Sequence, residues 1–138
     1  MRQLRDGLSV DLGDEWTDED RVDPSIHGYF LVHRPSGSVV QLRKWHRTGD
    51  PDWVRAELLS QNWPPPARDL VERRVGNVFI AGATWGPLGD AFGPTPRNMR
   101  EWFASDGVHA ANASLFHVIE TPSSVIDACE RFLDTLRF

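Results

Sequence analysis

Apolar positions along the chain switch between two spacings, and each switch marks an element. Leu8, Val10 and Leu12 alternate with Ser9 and Asp11, the period-two pattern of a half-buried strand. An acidic stretch follows and ends in the turn chemistry of Asp23-Pro24-Ser25. Tyr29 to Arg34 predicts a second strand, which Pro35-Ser36-Gly37-Ser38 folds back onto a third, Val39 to His46. Asp50 then suits an N-cap, Pro51 a first helical position and Asp52 the positive dipole end, so a helix starts there with Val54 and Leu58 on one stripe and Trp53, Glu57 and Gln61 around it. Pro64-Pro65-Pro66 must end it, because proline lacks the N–H and clashes with the preceding turn.

The second half is richer in hairpin signals. Leu70 to Val75 and Val78 to Trp85 flank Gly76-Asn77, and Asn98 to Ser105 and Val108 to Ile119 flank Asp106-Gly107. Between them, residues 86–96 hold three glycines, three prolines and no period, which predicts a long surface loop carrying Leu88 and Phe92. Thr121 and Pro122 open a last helix whose apolar stripe is Val125, Cys129, Phe132, Leu133 and Leu136. The expected order is β-β-β-α-β-β-β-β-α: an α+β fold with an antiparallel sheet of about seven strands and two helices packed on it.

Composition bounds the picture without changing it. The 138 residues suit one domain spanning 1–138, with 40% hydrophobic and 25% charged residues, which excludes a fibrous or disordered chain. No apolar run approaches the ~20 residues of a membrane span, and nothing near Met1 resembles a signal peptide, so a cytoplasmic, membrane-free protein is expected. Cys129 is the only cysteine and sits on the apolar stripe of the last helix, where it reads as a small core residue. Fourteen of fifteen cations are arginine, a bias typical of GC-rich coding and hence of a bacterial source.

Charge is uneven. The net charge is -5, and residues 11–23 set seven acids against Arg21 alone, a local balance of -6. Such a chain repels phosphate backbones, which disfavours nucleic acid as a partner. The same segment could steer a basic protein or simply stay solvated. Six tryptophans are many for this length, and those not needed in the core fit a partner surface.

Catalytic constellations are missing. His109 and His117 lie eight positions apart on one expected strand, roughly 26 Å at about 3.3 Å per residue, too far to share an ion. His27 with His46 is the one pair that the first hairpin could bring together, and no acid is fixed beside it. There is no G-x-S-x-G elbow and no Gly-rich loop leading from strand to helix. No metal or cofactor is expected.

The order of elements carries a resemblance. A short strand ends in an acidic-Trp turn (Gly7 through Trp16), two hairpin strands, a helix and four more strands follow, and a closing helix comes after Glu101-Trp102-Phe103, Asp106-Gly107 and Glu120-Thr121-Pro122. This resembles the PsbP-like fold of a photosystem II extrinsic protein, a Ran-binding nuclear import factor and bacterial secretion-associated proteins. The resemblance implies a non-enzymatic protein-binding module, an immunity protein or adaptor chaperone for a secreted, type VI-like toxin effector. The expected contact residues are Asp14, Glu15, Trp16, Asp18, Glu19 and Asp20 for steering a basic partner, with Trp85, Leu88 and Phe92 as apolar contacts. The competing class is a small-ligand binder or enzyme that uses a sheet–helix groove with His27, His46 or His109.

Overall fold

In the computed structural model, described for residues 2–3, 8–19, 28–61, 63, 67–89, 94–118 and 123–138, the hairpins run in series and build one antiparallel sheet. Among these residues the elements are β1 (Arg2–Gln3), β2 (Ser9–Val10), β3 (Trp16–Glu19), β4 (Tyr29–His33), β5 (Val39–His46), α1 (Trp53–Leu59), β6 (Arg68–Val75), β7 (Val78–Trp85), β8 (Arg97–Ser105), β9 (His109–Val118) and α2 (Ser123–Leu133). The main sheet has seven strands in the order β3-β4-β5-β9-β8-β7-β6, and β1 pairs with β2 apart from it. The α+β class, the antiparallel sheet and the two packed helices all stand.

Local chemistry sets the turns. Gly76, at φ +61°, lets Val75 pair directly with Val78. In the β8–β9 hairpin the central residues are Gly107 and Val108, one position later than the sequence suggests, since Ser105 pairs with Ala110. The cause is Asp106, whose carboxylate accepts the N–H groups of Val108 and His109 at 2.9 and 2.7 Å and so stands at the entrance of the turn.

The first strand differs from expectation. Leu8, Val10 and Leu12 are buried as their alternation requires, yet only Ser9 and Val10 form a strand, and it lies outside the main sheet. Ser9 and Arg137 exchange both backbone hydrogen bonds at 2.8 Å, which fastens this segment to the chain beyond α2. The seventh strand of the main sheet comes instead from the acidic stretch: β3 runs beside β4, with Trp16 opposite His33. A single buried tryptophan outweighs its acidic neighbours here, and charged residues are well tolerated on an edge strand.

The helices lie on opposite faces. α2 covers Val40, Leu42, Ile80, Trp102, Ala113 and Leu115 through Val125, Cys129, Phe132 and Leu133, and residues 8–12 close the rest of that core. α1 covers Ala81, Ala83, Trp85 and Phe103 through Val54 and Leu58. β7 and β8 are buried on both faces in consequence, which is why their sequences lack alternation. α1 is only seven residues long, too short to cover its face of a seven-stranded sheet.

Candidate binding surface

The face under α1 is where aromatic side chains remain half-buried. Trp45 projects from β5, Trp53 opens α1, and Trp63 follows the helix; all three are partly exposed and pack against the α1 core cluster. Trp16, Trp85 and Trp102 are buried at 3, 3 and 1% exposure, so the six tryptophans divide evenly between core and surface. Trp45, Trp53 and Phe103 form a triangle with ring centroids 6.2 to 6.4 Å apart, two of its contacts edge-to-face. Trp63 meets Phe116 edge-to-face at 6.2 Å, and Phe116 is 38% exposed.

Arginines frame these rings. The Arg47 guanidinium lies 3.9 Å from the Trp53 ring centroid and 3.8 Å from Glu57. Arg74 lies over Phe79, and Arg55 pairs with Glu72 at 3.5 Å. Between the two aromatic groups runs a polar row on the sheet. Arg43 donates to Asn112 Oδ1 at 2.9 Å, Asn112 donates to the Trp102 carbonyl at 3.1 Å, and the Ser114 hydroxyl lies 3.3 to 3.4 Å from Asn112 and Glu101.

Glu101 is the costly member of that row. Only 3% exposed, it keeps one carboxylate oxygen, Oε1, with no hydrogen-bond partner among the described residues. Burial pushes its carboxyl above the usual glutamate range; Asn112, Ser114 and Arg43 pull the other way, and Glu57 adds to the rise. A buried carboxyl of this kind stays neutral more easily than a surface one.

The expected contact residues are dispersed. Asp14 is exposed in the turn before β3. Glu15 is committed: Arg131 donates to it at 3.0 Å and His33 Nε2 lies 3.6 Å away, and the Arg131 bond foremost holds its carboxyl below the ordinary value. Asp18 is half-buried in β3, and Glu19 ends that strand opposite Phe30. Trp16 must be corrected from contact to core, because it packs on His33 at 4.9 Å and edge-on to Phe132 at 5.1 Å. Trp85 belongs to the cluster beneath α1. Leu88, 7% exposed, turns inward where its N–H donates to the Arg97 carbonyl at 2.8 Å, so it too is not a surface contact. Asp20 and Phe92 lie outside the described residues.

The histidines are partly gathered. His46 and His109 stand directly opposite on β5 and β9 with ring centroids 4.9 Å apart. His109 Nδ1 is 3.2 Å from Asp106 Oδ2, and Phe138 stacks on its ring at 5.5 Å. His46 is exposed, His27 lies outside the described residues, and no group of three or more His, Cys, Asp or Glu among the described residues could hold a metal ion.

A scan of protein-family models and a search of curated proteins return no match. Solved structures do match in fold. A protein of Bacteroides thetaiotaomicron VPI-5482 superposes with a TM-score of 0.66 at 11% identity over 94% of this chain. This chain spans only 44% of that one. LpqN of Mycobacterium tuberculosis, described as involved in cell envelope biogenesis, matches with a TM-score of 0.62 at 11% identity, over 94% of this chain and 81% of its own. At such identity the likeness is one of fold.

Proposed function

We propose that the protein is a non-catalytic protein-binding module whose docking face is the α1 side of the sheet. One observation carries this reading: three half-buried tryptophans, with Phe116 and Arg47 beside them, gather on the sheet face that a seven-residue helix leaves partly open. Tryptophan and arginine are the residues that most often anchor interfaces, and rigid rings already packed at their base lose little freedom when a partner covers them. An immunity or adaptor role toward a secreted toxin follows from the PsbP-like resemblance, which rests on element order. None of the described helices is long and apolar enough to cross a membrane.

The test is affinity capture from the native lysate, comparing the wild type with an Arg47→Glu/Phe116→Ala variant. Both positions are exposed, so the variant should melt within a few degrees of the wild type. A stoichiometric polypeptide retained by the wild type and lost by the variant supports the reading. Equal capture by both, or a bound metabolite with no polypeptide, overturns it.

A further inference from the structure

On the opposite side of the molecule, a groove of about 670 Å³ runs between edge strand β6 and helix α2. It extends along α2 from Ser123 to Asp134, roughly 16 Å at 1.5 Å per residue, the length of about five residues of extended chain. Four carboxylates line it (Asp69, Asp127, Glu130 and Asp134) against two guanidinium groups, Arg73 and Arg100, a balance of -2. Both arginines are spent on the wall itself. Arg73 pairs with Glu130 and Asp134, and Arg100 with Glu130 at 3.2 Å. Asp69 and Asp127 are exposed and make no ion pair among the described residues.

Two further features define the groove: its wall is fixed and its edge is open. Arg100 is 97% buried: its Nη1 donates to the Asp69 carbonyl at 2.7 Å and to Thr84 at 3.0 Å, yet its Nε–H has no acceptor among the described residues. And among the described residues β6 pairs only with β7, so alternate backbone N–H and C=O groups on its outer side have no described strand to meet. The pairing shifts register between Arg68 and Val71, where Asp69 takes φ +53° and is held there by Arg100. Leu70, 42% exposed, and Ile126 give the groove an apolar rim.

We infer that this groove receives an extended, basic segment of a protein partner, which adds a strand to β6 and lays a lysine or arginine side chain between Asp69 and Asp127. Strand addition supplies sequence-independent backbone bonds, and the groove supplies selection by charge and by an apolar side chain at alternate positions. A second copy of this chain is disfavoured as occupant, because two grooves of like charge would face each other. The inference deepens the reading as a protein-binding module and rests on it, while placing a contact on a different surface.

The probe is a synthetic acetylated pentapeptide amide of alternating valine and lysine, titrated into ¹⁵N-labelled protein and followed by amide chemical shifts. The largest changes are expected at residues 70–75 and 126–134, weakening as salt rises. The Asp69→Asn/Asp127→Asn variant should bind several-fold more weakly at an unchanged melting temperature, since asparagine tolerates the positive φ at position 69. A peptide with glutamate in place of lysine should not bind. Equal binding of both peptides, equal binding by the variant, or shifts confined to the Trp53 and Phe116 side overturns the inference. So does concentration-dependent self-association in sedimentation velocity that competes with the peptide, which would make a second copy the occupant. Any of these results leaves the α1-face capture experiment to stand or fall separately.

Discussion

Replacing Arg100 by methionine is expected to cost about 3 kcal/mol of folding stability, the lower end of what removing one partner of a buried ion pair costs. The structure sets that choice. Arg100 is 3% exposed and holds together the Asp69 carbonyl, the Thr84 hydroxyl and Glu130, with its guanidinium 5.3 Å from the Trp102 ring centroid. Methionine fills similar space but leaves the Asp69 carbonyl without that donor. Glu130 is not fully orphaned, because Arg73 and the Trp102 indole N–H, at 2.8 Å, remain. For 138 residues the unfolding entropy is about 0.3 kcal/mol/K, so the melting temperature should fall by about 10 °C. Thermal melts by circular dichroism and urea titration measure the change. Glu130→Gln and the double variant complete a cycle: if the penalty lies in stranding the surviving charge, the double variant should lose about 1–3 kcal/mol less than the two single losses combined. A loss below about 0.5 kcal/mol for Arg100→Met, or strict additivity, refutes the argument that this charge is held by its buried partners.

Three other outcomes follow from single sites. Gly82→Ala should cost about 1–3 kcal/mol and weaken the near-ultraviolet tryptophan signal, because its Cβ would drive into the Trp102 ring, which the Glu130 hydrogen bond pins in place. Glu101→Gln should raise the melting temperature at pH 8. Burial lifts the folded-state pKa above the unfolded value, so the wild type loses stability as pH rises through the folded pKa, and the gap should close near pH 4, where both forms are neutral. Melts from pH 4 to 8 check this, and a pH-independent gap contradicts it. Asp106→Ala should cost about 1–3 kcal/mol through two lost hydrogen bonds in the β8–β9 turn, with Asp106→Asn recovering most of it in the same melts.

Hairpins and the closing helix were legible because their signals are local. Gly76-Asn77 joins its strands directly, and the stripe from Val125 to Leu133 faces the core. The strand at Trp16 was not, because its cause is a contact with Phe132, 116 residues away in sequence. Alternation at Leu8, Val10 and Leu12 correctly told which side chains are buried but could not tell which backbone they pair with. Six tryptophans left some to spare beyond the core, and Trp45, Trp53 and Trp63 bear the half-buried positions; the choice of Trp16 and Trp85 failed because proximity to charge or to a Gly/Pro loop carries no information about burial. Glu101 gave no signal at all. Its neighbours Asn112 and Ser114 become neighbours only through the β8–β9 register.

The two sheet faces also differ in how their charges are paired, and that difference separates attraction from anchoring. Around the α1 face stand Arg43, Arg47, Arg55 and Arg74, with Asp52 at the N-cap of α1, Glu57 and Glu72 paired to two of them and the buried Glu101 on the sheet, so the cations there are matched by carboxylates in a chain whose net charge is -5. The acid excess of the chain lies in residues 11–23, and along the β6–α2 groove Asp69 and Asp127 carry carboxylates without ion pairs among the described residues. Surface charges act over about 8 Å at physiological ionic strength, less than the width of a small domain, so under the proposed reading the groove attracts by charge while the α1 face anchors through its rings. A partner that used both would need an aromatic-accepting surface and a basic extended arm. Such a pairing is selective for a physical reason: an acidic arm is repelled from the groove, and a basic arm without an apolar surface correctly spaced from it gains nothing at the tryptophan face, so only a partner with both satisfies the two sites at once.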